Sequence, residues 1–393
     1  MDKIISELRN IEKKLRSRKQ ESASPFLFGD MGGSILFYFY LGRQLNQIKF
    51  EDYGRGMLEH LLKKLRHVSL NGSLCSGMAG VAWLLDICLL EGFIEEDPND
   101  IIPDIDFQLA AWVNERFIEG NYDYLHGGTG TYIYLLHRYR QKKLCKSIVE
   151  KMTDNLLDGN IDIDQHLTYF PFYEVANNRS RPDQINLGIS HGNVSIIHAL
   201  MLAKESGIRV QKVTDTLAKL FNLIELITKQ SHNHFYFPFI IERGDFSEKK
   251  SSRIAWCYGD LGNSIILLNA AKIMKNDNIE ERCTDILNNI PLIPFDKQGI
   301  MDSGLCHGLI GNSLMYSHLL NKYSESKYKQ QMEFYLNIYL KKFPSSEEFQ
   351  KNYISGIGYR ENYTLLEGIS GIGLGLLSIL NNDMQWKKIL LLD

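Results

Sequence analysis

The tetrapeptides Trp256-Cys257-Tyr258-Gly259 and Leu305-Cys306-His307-Gly308 each place a cysteine two residues before a glycine that opens an apolar run. Between them they offer two thiolates and an imidazole, three soft ligands suited to zinc. A structural zinc is normally closed by four protein ligands, whereas three leave a position at which an incoming group can be bound and activated. Such activation matters for a thiol, which with a pKa near 8.5 is only about 3% ionised at pH 7. Cys75 shares the register of the two motifs but has no ligand neighbour and reads as structural, while Cys88, Cys145 and Cys283 read as core or surface thiols. Six cysteines scattered over 393 residues make no disulfide framework.

Both motifs belong to a repeat. A Gly-x-x-Gly unit followed by an apolar run begins at Gly29, Gly77, Gly127, Gly192, Gly259, Gly308 and Gly368, at intervals of 48 to 67 residues, with Ser195 in place of the second glycine of the fourth copy. The runs are apolar nearly all round, as in Val81-Ala82-Trp83-Leu84-Leu85, which marks a buried helix. Amphipathic stretches lie between them, such as Met57, Leu58, Leu61, Leu62 and Leu65, or Phe334, Ile338 and Leu340. Seven alternations predict an inner ring of helices inside an outer ring. Glycine at each mouth would let the chain turn sharply and the helix starts crowd around a common axis. The residues just before the opening glycines then line one end of that axis, among them His126, His191, Tyr258 and His307, with Cys257 and Cys306 one place earlier. Polar and ligand-type residues concentrate in the middle copies, so this end is the expected active site. Two segments, 167–173 and 234–240, gather aromatics around a proline and predict loop or small β insertions around 160–185 and 232–250, over the barrel mouth.

Bulk properties narrow the function further. With 44% hydrophobic residues the chain can build a large core, and its net charge of -3, with both signs interspersed, argues against nucleic acid as a partner. The N-terminus runs into a charged helical pattern through Ile4, Ile5, Leu8, Ile11 and Leu15, with no signal-peptide h-region. No stretch approaches the ~18 apolar residues of a membrane span, so a cytoplasmic protein is expected, associated at most with a membrane-bound biosynthetic complex.

Three stretches, Arg253-Ile254-Ala255-Trp256-Cys257-Tyr258-Gly259, Cys306-His307-Gly308 and Asn186-Leu187-Gly188-Ile189-Ser190-His191-Gly192, with Tyr122-Asp123 before the third copy, resemble the lanthionine synthetase C family, the cyclases of lanthipeptide biosynthesis. The resemblance runs through essentially the whole chain. It implies an all-α fold, an α/α toroid or double-layered barrel of seven inner and seven outer helices, as a single domain over 1–393. It further implies one catalytic zinc per chain, held by Cys257, Cys306 and His307, with His191 and Asp123 nearby in proton transfer. Arg253 and Tyr258 join them in the catalytic set, and Trp256 shapes the substrate pocket. His126, also placed at the pocket, departs from the family pattern, as does Ser195.

The implied reaction is intramolecular addition of a precursor-peptide cysteine thiol to dehydroalanine or dehydrobutyrine, closing a thioether ring. Attack on the β-carbon leaves an enolate to be protonated at the α-carbon, a task for a histidine with pKa near ~6.5, and His191 is the first choice. Expected partners are a dehydrated precursor with its leader, a separate dehydratase and a transporter. An alternative within the family is a protein that binds glutathione or adds it to dehydroamino acids. A different class, the toroidal glycosidases, would need paired carboxylates, for which Asp123, Asp260 and Asp302 are available.

Overall fold

The computed structural model describes residues 2–18, 23–229, 231, 233–246, 252–342, 351–354 and 358–392. Residues 232 and 247–250 of the second predicted insertion thus lie outside the described residues. A helix follows each of the seven glycine units: Asp30–Leu45, Met78–Leu90, Gly128–Arg140, Asn193–Glu205, Asp260–Met274, Leu309–Tyr323 and Ile369–Leu380. Their side chains are buried nearly all round, as their uniform apolarity requires.

The chain divides into two compact units. In the first (Met1–Asn71, Cys75–Ile101 and Ile300–Asp393), Asp30–Leu45 packs on Met78–Leu90 and Ile369–Leu380, and the latter on Leu309–Tyr323. Amphipathic helices back them: Ile48–Leu65 behind Asp30–Leu45, Ser326–Lys342 behind Leu309–Tyr323, and Asp2–Ser17 behind Ile369–Leu380. Near the C-terminus, the 3-10 turn Gln385–Leu390 packs on Met78–Leu90 and buries Trp386, whose Nε1 donates to Ser378 Oγ at 2.9 Å. On Ser326–Lys342 the buried face differs from the predicted one. It runs through Tyr328, Tyr335, Leu336 and Tyr339, while Phe334 is 41% exposed. Tyrosine counts as apolar once its hydroxyl is met, and Tyr339 donates to Glu7 Oε1 of Asp2–Ser17 at 3.1 Å.

In the second unit (Gly72–Leu74 and Ile102–Gly299), Asn193–Glu205 packs on both Gly128–Arg140 and Asp260–Met274. Ile105–Ile118 and Lys146–Leu157 back Gly128–Arg140, Val210–Thr228 backs Asn193–Glu205, and Asp277–Asn289 backs Asp260–Met274. Here sit the extended segments. Ile161–Asp162 pairs with Thr168–Tyr169, Phe172–Glu174 with Arg179–Arg181, and Gln184–Asn186 with Ile240–Glu242, all antiparallel. The last pair joins the two aromatic insertions to each other. Each is also pinned to the residue after an opening glycine: Asn193 exchanges hydrogen bonds with the backbone of Phe170, and Asp260 accepts from the amides of Tyr236 and Phe237.

The glycines serve close approach more than sharp turning. Six of the seven opening glycines have ordinary extended φ; only Gly259, at φ +94°, lies in the region closed to other residues. What they share is a loop lying on the first helical turn. A Cβ on the second glycine Gly311 would come within 1.9 Å of Leu305 O. In return, the loop carbonyls meet the helix's orphan amides: Met78 N bonds Asn71 O (2.8 Å), Leu309 N bonds Asp302 O (3.0 Å), and Ile369 N bonds Asn362 O (2.9 Å). Glycine leaves no side chain to cap, so the loop backbone is the cap.

A buried ion pair locks the second unit. Arg138, fully enclosed, sets Nε 2.8 Å from Asp106 Oδ2, and Tyr134 donates to the other carboxylate oxygen at 2.7 Å. Removing one partner strands a buried charge, so Arg138→Ala is expected to lower unfolding free energy by about 3–5 kcal/mol in denaturant titration. Gly311→Ala should destabilise by about 1–3 kcal/mol through overpacking against backbone. By contrast Gly56→Ala, where a Cβ meets nothing within 4 Å, should stabilise Ile48–Leu65 by about 0.5–1 kcal/mol.

Candidate active site

Each predicted site residue sits on a loop running into one of the seven helices. Neighbouring loops are stitched by one pattern. In the second unit the amides of Ile189 and Ser190 both point at Cys257 O (2.9 and 3.4 Å), and in the first those of Leu305 and Cys306 both bond Leu366 O (2.9 Å each). The carbonyl two places before one opening glycine thereby fixes the register of the preceding loop.

Within the second unit His191, Asp123, His126, Tyr258 and Arg253 form a connected cluster. Asp123 is fully buried, and its Oδ2 lies 2.6 Å from His191 Nδ1. Its other oxygen accepts from the amides of Leu125 (2.9 Å) and His126 (2.7 Å), which fixes the carboxylate's orientation. Burial alone would depress the His191 pKa, but the adjacent Asp123 charge and hydrogen bond override it, and the net effect is upward from 6.5. His126 lies parallel to His191, with ring centroids 6.0 Å apart, and moves the other way. Burial pulls its pKa down, Asp123 pulls weakly upward, and a protonated His191 adds repulsion. The two histidines are therefore set apart in basicity, with the cationic form favoured on His191.

Tyr258 packs its ring 6.2 Å from His191 and 4.8 Å from Phe239, and its hydroxyl accepts from Asn186 Nδ2 at 3.0 Å. Burial pushes its pKa up, so it stays a neutral phenol. The Arg253 guanidinium lies 5.0 Å from the centre of the Phe239 ring. Phe239 enters the cluster because Gln184–Asn186 pairs with Ile240–Glu242. Trp256 is 1% exposed and packs edge-on against Tyr124, so it backs the loop and has no open face toward a pocket.

In the first unit Cys306 is half-buried and His307 buried, with His307 Nε2 3.1 Å from Asp302 Oδ2. Cys257 is 5% exposed. One ligand atom from each of Cys257, Cys306 and His307 lies within 4.8 Å of the others, a group that could hold a metal ion. Two sulfurs and one ring nitrogen match the donor preference of zinc. No disulfide links the six cysteines, all of them among the described residues; Cys88 and Cys283 are buried with their thiol pKa values pushed up, and Cys145 is exposed.

The carboxylate-pair reading fails on these contacts. Asp260 accepts from two insertion amides, Asp302 Oδ1 accepts from Gly304 N of its own loop, and Asp123 uses one oxygen on two loop amides and the other on His191, so no two of them are paired with each other in these contacts. Sequence reasoning missed Asn186, Phe239 and the neighbour role of Asp302. A signal for two of these existed: Asn or Asp stands six residues before the opening glycine in five copies, at Asn71, Asn121, Asn186, Asp302 and Asn362.

Comparison with known proteins agrees over nearly the full chain. The nisin biosynthesis protein NisC of Lactococcus lactis subsp. lactis is 25% identical over 98% of this chain and 95% of its own length. The solved structure of a nisin cyclase superposes with a TM-score of 0.72 at 20% identity, covering 99% of this chain and 96% of that one. The shared fold is the all-α, double-layered α/α toroid. A family model described as lanthionine synthetase C-like protein matches residues 31–391, and the chain belongs to that family.

Proposed function

We propose that this protein is a zinc-dependent lanthionine cyclase, which adds precursor-peptide cysteine thiols to dehydroalanine or dehydrobutyrine within the same peptide. The observation that carries the reading is the grouping of two cysteine sulfurs and a histidine nitrogen, with no fourth protein ligand among the described residues. A zinc ion held there would deprotonate a substrate thiol and fix its position. The likeness to a nisin cyclase favours ring closure within one peptide over addition of glutathione.

The remaining steps fall to side chains. His191 Nδ1 is engaged with Asp123, so Nε2 is the ring atom free to deliver a proton to the α-carbon of the enolate. Asp123 holds the ring's orientation and favours the imidazolium from which that proton comes. His126, with its lowered pKa, is a neutral neighbour that can accept the proton lost from the incoming thiol. Tyr258 lies beside the ring and Arg253 follows through Phe239, a neutral hydroxyl and a cation suited to a peptide carbonyl whose oxygen gains charge. Trp256 supports this pocket from behind. The substrate is a dehydrated precursor with its leader, made by a separate dehydratase and passed on to a transporter. A cytoplasmic location fits this sequence of events, and no helix among the described residues is long and apolar enough to cross a membrane.

Ring closure is an isomerisation, so it is followed by loss of free thiols on incubation of enzyme, zinc and dehydrated precursor. Metal analysis should find one zinc per chain in the parent and a marked loss in Cys257→Ala and His307→Ala; zinc retained in both variants would sink the ligand assignment. For pH, the sign follows from the raised His191 pKa. The acid form persists above pH 6.5 and is lost as pH rises through the folded value, so the cyclisation rate should fall on that alkaline limb. Asp123→Asn removes the raising influence and leaves burial, which should move the limb to lower pH and cost roughly 10²–10⁴-fold in rate at neutral pH, read from pH–rate profiles.

A further inference from the structure

The loop position six residues before the opening glycine does one job in four copies, and in one of these it is a carboxylate. Its side-chain oxygen accepts an amide two residues on: Asp123 N at Asn121 (3.3 Å), Gly188 N at Asn186 (2.8 Å), Gly304 N at Asp302 (2.9 Å) and Thr364 N at Asn362 (2.9 Å). That turn needs one acceptor, which an asparagine amide supplies. Asp302 alone carries a second carboxylate oxygen. This Oδ2 is buried, makes no aligned hydrogen bond among the described residues, and lies 3.1 Å from Nε2 of His307. The Asp302 side chain is wholly enclosed and that of His307 is 10% exposed, so solvent does not supply the missing donor. Asp123 is built on the same plan, with one oxygen on its own loop amides and the other on a histidine.

We propose that Asp302 is a positioning residue for His307: it holds the imidazole with its proton on Nε2 and presents the lone pair of Nδ1 to the metal. The inference rests on the reading of Cys257, Cys306 and His307 as zinc ligands. In a neutral imidazole one nitrogen carries the proton and the other is the ligand, and the partner of the first decides which is which. A carboxylate facing Nε2 selects that tautomer, aligns the ring and strengthens the donor nitrogen. An asparagine, as in the sister loops, would keep the turn through its oxygen. Its NH2 group would then face the ring N–H, donor against donor, and the ring would have to rotate or change tautomer.

The test uses full-length protein, with zinc affinity measured by competition against a chromogenic chelator and the cobalt(II)-loaded form followed by visible absorption. Asp302→Asn should bind zinc about 10–100-fold more weakly and shift the cobalt bands, while the melting temperature of the metal-free protein stays at the parent value because the turn is kept. If Asp302→Asn does not fold, Asp302→Ser, which retains a turn acceptor, takes its place with the same expected loss. Asn362→Ala removes the equivalent turn acceptor in the last copy; it should lower metal-free stability and leave zinc affinity and the cobalt spectrum unchanged. Parent-like affinity and spectrum in the Asp302 variant overturn the proposal. A parent that holds no zinc, or a Cys306→Ala variant that keeps it in full, overturns the ligand reading instead.

Discussion

The contact on which the rest depends is the loop backbone lying directly on the first turn of its helix. Leu305 O sits where a Cβ of Gly311 would be, and Leu365 O stands in the same relation to Gly371. The loop closes because its carbonyls satisfy amides that a helix start leaves orphaned, as Asn71, Asp302 and Asn362 do for Met78, Leu309 and Ile369. With both ends of the loop fixed in this way, the residue before the opening glycine has little freedom left. Cys257, His307 and His191 are held by this backbone, which fits the ligand and proton-donor roles proposed for them.

Loops built this way need neighbours to set their register, and one carbonyl per junction does so. Cys257 O holds the amides of Ile189 and Ser190, and Leu366 O those of Leu305 and Cys306. The same residue that offers a sulfur thus fixes the loop carrying His191. Electrostatics then separates residues of like type. Asp123 and Asp302 each use one oxygen on their own loop and aim the other at a histidine, whereas Asp260 uses both oxygens on the amides of an insertion. His191 beside a buried carboxylate gains proton affinity, and His126, buried with less compensation, loses it.

Where sequence reasoning fell short, the cause was pairing at long range. The amphipathic stripe on Ser326–Lys342 was misread because tyrosine's place depends on whether its hydroxyl finds a partner, and for Tyr339 that partner is Glu7, 332 residues away. Phe239 entered the site through antiparallel pairing of Ile240–Glu242 with Gln184–Asn186, a register that short extended segments do not encode locally. Trp256 carries a motif position yet points into packing, which only the fold could tell.

The sequence by itself determined the seven-fold repeat and the buried helices after each glycine unit, which follow from periodicity and composition and are local or nearly so. Its motifs also carried the resemblance to the family and, with it, Cys257, Cys306 and His307 as the candidate ligands. Tertiary structure decided which histidine has a carboxylate, which carboxylates are already spent on backbone, and why the glycines are there. Their reason is close approach of loop to helix, with a positive φ required only at Gly259. Each of these turns on a distance of a few ångströms between residues far apart in the chain, and one-dimensional order does not carry such distances.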